Sequence, residues 1–435
     1  MTDKRHKIQV ITMGCSKNLV DSERVMKIFE EAGYCVEHEP KELNGDEVII
    51  NTCGFIGDAK QESINMILEC VEAKKAGKVG KVTVMGCLSE RYRKELPESI
   101  SEVDRWFGKF DWTELSKEIK QEAKESASIT RRQSTPSHYS YIKISEGCNR
   151  FCAFCAIPLI TGRHKSRSIE NIKAEVTSLV NSGVTEFNII AQDLSSYGTD
   201  LYGKHALAEL IENLALIEGV KRIRLHYAYP ADFPAEILKV MAKYPNVCNY
   251  LDIALQHIND KVLSNMRRHI TAEQTRELLK NIRREVPGIH IRTTLMVGFP
   301  GEGKKEFEEL LEFVKEQRFE RLGAFAYSEE EDTFGAKNFK DSIPEKTKQK
   351  RLEELLAVQE VISHDLNANK IGKTFEIVVD GTENEYWVGR TEFDSPDVDP
   401  VVLVDKSFAP DFKPGCYYKV KITDASPFEL YAEPI

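Results

Sequence analysis

Cys148, Cys152 and Cys155 stand as C-x3-C-x2-C directly after an alternating run at residues 141–144, so three thiolates share one short loop at the end of a predicted strand. Three cysteines can hold a cubic 4Fe-4S cluster and leave one iron without a protein ligand, whereas a structural zinc or electron-transfer centre ordinarily closes with a fourth. An open iron is a place for a molecule to bind, and the pattern therefore points to catalysis. A zinc site completed by a remote His or Cys is the alternative. Phe154 places an aromatic ring between the last two thiolates.

Three more cysteines follow a different logic. Apolar runs at 8–13, 48–51 and 82–85 end in Gly14-Cys15, Thr52-Cys53 and Gly86-Cys87, and a helical pattern follows each. Spacings of 38 and 34 residues suit βαβ units, and in a parallel sheet the loops after the strands share one edge. Cys15, Cys53 and Cys87 are therefore expected to converge; three small apolar residues that happen to end strands are the alternative. Asp21 or Ser22 is the expected cap of the first helix, Gly33 lies beyond its end, and 59–76 reads as a second amphipathic helix. Cys35, Cys70, Cys248 and Cys416 lack such placement and read as buried structural cysteines.

The elements that must position these groups form three units, in line with a length of 435 residues. A parallel α/β domain is expected over 1–130 and a polar, Pro-containing linker over 131–138. From 139 to 370, strand patterns at 141–144, 186–191, 222–227, 250–253, 290–297 and 321–327 alternate with helical ones and predict a (β/α)6 partial TIM barrel. Barrel enzymes carry their sites on the loops after the strands, as the C-x3-C-x2-C loop does here. Gln192-Asp193, Gln256-His257 and residues 298–302 fall on the same rim. His226 and His257 read as hydrogen-bonded core rather than metal ligands. A charged helix at 344–370 straps this unit to a tail, 371–435, whose strand patterns at 374–379, 386–391, 401–404 and 417–422 predict a small all-β barrel.

The order of Cys15, Cys53 and Cys87, then Cys148-x3-Cys152-x2-Cys155, then a β-barrel tail resembles the methylthiotransferase family of radical S-adenosylmethionine (SAM) enzymes over essentially the whole chain. The resemblance implies a methylthiotransferase domain, a radical SAM domain and a C-terminal TRAM domain. It implies two 4Fe-4S clusters, one on each cysteine trio, with SAM as radical source and methyl donor and an exogenous sulfur carried on the auxiliary cluster at Cys15, Cys53 and Cys87. A sulfur donor and a low-potential electron donor would be partners. Phe154, Gln192, Arg292, Gly298 and Tyr327 become the candidate SAM contacts, Gln192 with a plainer reading as a turn residue, Arg292 as a salt bridge and Tyr327 as core packing; no catalytic residue is assigned beyond the cluster ligands.

Two branches of that family modify either transfer RNA adenosines or one aspartate of small-subunit ribosomal protein S-twelve, a strongly basic protein. Residues 193–198, 224–230, 323–330 and 389–397 resemble the protein-modifying branch, which implies methylthio transfer to the aspartate β-carbon. That C–H bond is too weakly acidic for acid–base catalysis near neutrality, hence the need for a radical. Thr161 departs from the family's usual basic residue and Ala254 from its usual Pro. A transfer RNA methylthiotransferase and a non-catalytic iron–sulfur or zinc module that binds ribosomes remain as alternatives.

Charge bears on the substrate. The tail carries 5 Lys and 1 Arg against 7 Asp and 6 Glu, a balance of −7 within a total of −10. Phosphate recognition needs a basic face, so direct RNA binding by the tail is not expected. The acidic strip at 392–399 reads instead as a docking surface for a basic protein, or as a solvated loop. A charged start, no apolar stretch approaching ~18 residues and sparse cysteines lead to an expected cytoplasmic location without membrane or transit segments.

Overall fold

The β-branched, apolar strand runs of the first hundred residues assemble into a parallel sheet buried on both faces. The structure is a computed structural model that describes residues 6–118 and 131–435; the expected domain end at residue 130 and the charged start at residues 1–5 lie outside these. Strands β1 (Lys7–Thr12), β2 (Cys35–His38), β3 (Glu47–Thr52), β4 (Lys81–Gly86) and β5 (Arg105–Trp106) run in the order β2-β1-β3-β4-β5. The three strands that precede Cys15, Cys53 and Cys87 are thus adjacent and parallel.

The helix after β1 spans Ser16–Glu31 and begins at Cys15, which corrects the expected cap. Gly14, at φ 89°, turns the chain as soon as β1 ends, so Asp21 and Ser22 lie inside the helix. Asp21 is instead a buried ion-pair partner: Lys109 Nζ donates to Oδ2 at 2.8 Å and Lys143 to Oδ1. Gly33, at φ 88°, follows the helix end.

The central sheet contains β6 (Tyr139–Lys143), β9 (Glu186–Ile190), β10 (Arg222–Ala228), β11 (Val247–Ile253), β12 (His290–Val297) and β13 (Arg321–Ala326), all parallel and neighbouring in chain order. A small antiparallel pair, β7 (Ser145–Glu146) and β8 (Lys165–Ser166), braces the first cysteine loop. Helices such as Ile169–Asn181 and Lys304–Gln317 bury one face on this open barrel. The strap helix, Glu345–Ala368, lays Leu355 and Ile362 into the same core. Among the described residues no helix is long and apolar enough to cross a membrane.

The tail closes into a barrel of β14 (Thr374–Glu383), β15 (Tyr386–Arg390), β16 (Val401–Asp405), β17 (Tyr417–Ala425) and β18 (Glu429–Pro434). β18 has no counterpart among the predicted strands; it ends at a proline and gains its pairing from β16 and β17.

The acidic strip does not stand free, which corrects its reading as a docking surface. Asp394 accepts from Arg321 at 2.6 Å, Asp399 from Arg292 at 3.3 Å, and Asp397 from the Tyr141 hydroxyl at 3.2 Å. Buried Arg224 and Arg390 both converge on Glu186, at 2.5 and 2.8 Å. Arginines at the starts of the central strands need anions once water is removed, and the strip supplies several. Cys70 and Cys248 are buried as expected, but Cys35, on an edge strand, and Cys416, just before β17, are exposed.

Candidate active site

Asn18 gathers the first cysteine trio. Its amide nitrogen donates to Met13 O and Thr52 O, both at 3.0 Å, and its oxygen accepts from the Cys87 thiol at 3.4 Å. One side chain therefore ties the loops after β1, β3 and β4. Gly14 is needed because a Cβ there would sit 2.7 Å from Cys53 Cβ, and Gly86, at φ 102°, because a Cβ would meet Asn51 Oδ1 at 2.4 Å. The Cys53 amide donates to Ser63 Oγ at 3.0 Å, which fixes the middle loop to the helix Gly57–Lys75.

The second trio is built locally. Cys148 Sγ accepts from the Arg150 amide at 3.5 Å, and the Cys155 amide donates to Cys152 O at 3.0 Å. Arg268, from the loop after β11, donates to Cys152 Sγ at 3.2 Å and also to Ala254 O. Tyr229 lies under two guanidinium groups, Arg268 at 4.0 Å and Arg150 at 4.3 Å, and its hydroxyl donates to Arg268 O at 2.8 Å.

All six cysteines line one cavity of about 350 Å³ between the two domains. Phe55, Phe154, Ile157, Ile160, Ala191 and Phe325 make much of its wall apolar. Asp21 with Lys143 clamps the domains on one side, and Glu330 clamps the other, accepting from Lys60 at 2.8 Å and Arg91 at 2.9 Å. Among the described residues no three His, Cys, Asp or Glu side chains are gathered around one metal-ion position; the thiols border the shared space.

Burial pushes the Cys87 and Cys148 thiols up to about 12 and raises those of Cys53 and Cys155. Cys15 behaves oppositely. It keeps surface on the cavity although protein surrounds it, and the burial that would raise it is outweighed by the Lys17 charge, the Asn18 amide and Lys109. Thiols so disfavoured as free anions hold their protons until a cation replaces them, so loading with iron releases protons.

The wall also suits a charged organic cofactor. Four cations, Lys17, Lys109, Arg150 and Arg268, face a single acid, Asp252, which matches the negative charge of thiolate-bound clusters. Among the described residues, Gln192 and Gln256 each present a buried carboxamide oxygen without a partner, while Gln192 Nε2 donates to Glu146 at 2.8 Å. Such orphaned acceptors fit an amine or hydroxyl donor.

Of the five expected cofactor contacts, Phe154 and Gln192 are on this wall, as are Thr161 and Ala254. Arg292 lines a second cavity and holds Asp399. Gly298, at φ 77°, packs on the Lys348 side chain, and Tyr327 stands behind Phe299 at a ring separation of 4.9 Å. His226 and His257 are buried and bonded, to Ser395 at 3.3 Å and Glu302 at 3.1 Å. Sequence reasoning overlooked Lys17, Asn18, Lys109, Tyr229 and Arg268; only the position of Lys17 and Asn18 just after Cys15 was a signal, and the others reach the cavity from distant segments.

Two trios of thiols on the strand-end rim of an open βα barrel and its covering domain define a radical SAM enzyme with an accessory cysteine domain. Residues 142–314 match the Radical SAM superfamily, 7–108 the Uncharacterized protein family UPF0004, and 371–435 the TRAM domain. The chain is 57% identical over 429 residues to Ribosomal protein uS12 methylthiotransferase RimO of Phocaeicola vulgatus, covering 99% of each, and 50% identical over 432 residues to that of Christiangramia forsetii, covering 99% of this chain and 95% of the relative. The fold is shared with the radical SAM methyltransferase TsrM of Kitasatospora setae, at TM-score 0.53 and 14% identity over 73% of this chain and 72% of the other. It is also shared with the cobalamin-dependent radical enzyme OxsB, at TM-score 0.51 and 13% identity over 82% and 56%. The chain belongs to the methylthiotransferase family of radical SAM enzymes.

Proposed function

We infer that this chain transfers a methylthio group to the β-carbon of an aspartate in ribosomal protein uS12. The observation that carries the reading is that six cysteines from two domains line one cavity, in a chain alike over its full length to uS12 methylthiotransferases. Cys148, Cys152 and Cys155 would hold the cluster that works with SAM, and Cys15, Cys53 and Cys87 the auxiliary cluster. Together these groups supply a carbon-centred oxidant for an unactivated C–H bond and a sulfur to be methylated and transferred.

The chain's own residues keep that chemistry in bounds. The apolar wall excludes water that would quench a radical. Arg268 donates to Cys152 Sγ and to Ala254 O and so fixes that thiol against the loop after β11. Gln192 and Gln256 offer acceptors to SAM's amine or ribose, and Phe154 a surface for it. A sulfur donor and a low-potential electron donor complete the reaction, in the cytoplasm, with the tail not used to grip RNA.

The test is anaerobic reconstitution followed by incubation with SAM, reductant, sulfide and either uS12 or transfer RNA. A methylthio mass shift on uS12 is expected. An unmodified uS12 beside a methylthio-adenosine in the RNA would move the chain to the other branch, and loss of iron binding or of SAM cleavage would leave only a ribosome-binding module.

A further inference from the structure

Three of the four cations on the cavity wall already have partners. Lys109 Nζ donates to Asp21 at 2.8 Å, Arg150 reaches Asp193 at 2.7 Å and Asp232 at 3.1 Å, and Arg268 is held by Cys152 Sγ at 3.2 Å and Ala254 O. Lys17 differs. It is 9% exposed and, among the described residues, has no carboxylate within ion-pair distance. Its Nζ lies 3.6 Å above the centroid of the Tyr227 ring. A cation–π contact orients the ammonium without giving it the bonded anionic partner that a carboxylate would.

Tyr227 is itself held in an unfavourable backbone conformation, at φ 66°, with its amide donating to Asp252 at 3.3 Å. Strain of this kind persists where surrounding contacts impose it. Here it puts the ring at the neck between two spaces: Cys15, Tyr227, Asp252 and Thr294 line both the six-cysteine cavity and a second one of about 430 Å³. That second cavity lies between the first domain, the inner face of the central sheet and residues 395–398 of the tail. A side chain passing from it into the cluster cavity goes by Cys15 and Tyr227, beside the ammonium of Lys17.

We propose that Lys17, seated on Tyr227 at this neck, receives the carboxylate of the substrate aspartate and so selects an acidic side chain for modification. The proposal rests on the aspartate reading above. The carboxylate is one bond from the carbon to be modified, so a charge-assisted contact there also fixes the reacting carbon between the two trios.

The test uses reconstituted full-length enzyme and uS12 carrying either Asp or Asn at the modified position, with kcat/KM from mass spectrometry and affinity from fluorescence anisotropy. Wild type should prefer Asp by about 10- to 100-fold, the range for a hydrogen bond to a charged group. Lys17→Met, with iron loading retained, should bring the ratio to about one, and Lys17→Arg should keep the preference. An Asp-to-Asn ratio that survives Lys17→Met, at whatever absolute rate, overturns the proposal; so does a variant whose cluster spectra change while the ratio holds, which would make Lys17 a counter-ion of the cluster. If Lys17→Met fails to load iron, the same collapse in relative affinity is required of Lys17→Gln. A wild-type enzyme that modifies neither form of uS12 removes the aspartate reading and this assignment with it, a result distinct from a retained ratio.

Discussion

The two cysteine trios share a cavity but are built in opposite ways. Cys148, Cys152 and Cys155 lie within eight residues of one loop, whereas Cys15, Cys53 and Cys87 span 73 residues and meet only because β1, β3 and β4 are neighbours. The first needs one loop closed on the end of β6. The second needs a whole sheet, the glycines that let its loops touch, and Asn18 to join them. Local sites tolerate damage elsewhere; a site assembled by topology inherits the stability of everything that assembles it.

The largest expected effects separate the trios by function. Cys152→Ala and Cys53→Ala should each lower iron from about eight to about four per chain. Only Cys152→Ala should abolish reductive SAM cleavage; Cys53→Ala should retain cleavage and make no methylthio product. Loss of cleavage in both would merge the two sites into one.

Next comes the clamp between the domains. Asp21→Asn leaves buried Lys109 without its carboxylate and Lys143 with Glu146 alone, a change worth about 3–5 kcal/mol. Thermal denaturation of the loaded protein should show it, with iron leaving the Cys15 trio before the Cys148 trio. Simultaneous loss would mean that the trios are equally dependent on docking.

Asn18→Ala should cost less, about 1–3 kcal/mol, because it orphans the carbonyls of Met13 and Thr52 without stranding a charge. Faster chelator extraction of the auxiliary iron alone is the expected readout, and extraction of both at equal rates would count against Asn18 as the tie of a single trio.

The smallest effect is one of pH. Burial raises the Asp21 carboxyl, but Lys109, Lys143 and Arg24 outweigh it and hold the group well below the usual carboxylate range. Its folded value lies below its unfolded value near 3.9, so the stabilisation is complete above about pH 5 and fades as pH falls through that range. Melting temperature should therefore be insensitive to Asp21 between about pH 6 and 8 and should drop in acid less steeply in Asp21→Asn than in wild type.

Strand positions were legible wherever apolar periodicity carried them, as for β12 at 290–297, and so was the rim location of the cysteines. The helix start was not, because Gly14 turned the chain before any polar cap could act, and Asp21 looked like a cap while serving a tertiary ion pair. The acidic strip misled for a related reason. Asp394 and Asp399 are as acidic in sequence as any solvated pair, and only the arginines at the starts of β12 and β13 decide that they are buried. Lys17 posed the reverse problem, an ordinary helix lysine in sequence whose want of a carboxylate partner is visible only in space.

By itself the sequence determined that three thiolates would share one loop, that three more would follow parallel strands, and that a small β-barrel would close the chain, because each depends on spacing or periodicity within a short segment. The tertiary structure alone decided that both trios open on the same cavity, which cations around it are already answered, and that Asp394 and Asp399 of the tail face inward. Those outcomes depend on pairings between residues far apart in the chain, where the free energy of a charge is set by its neighbours and its access to water rather than by its place along the chain.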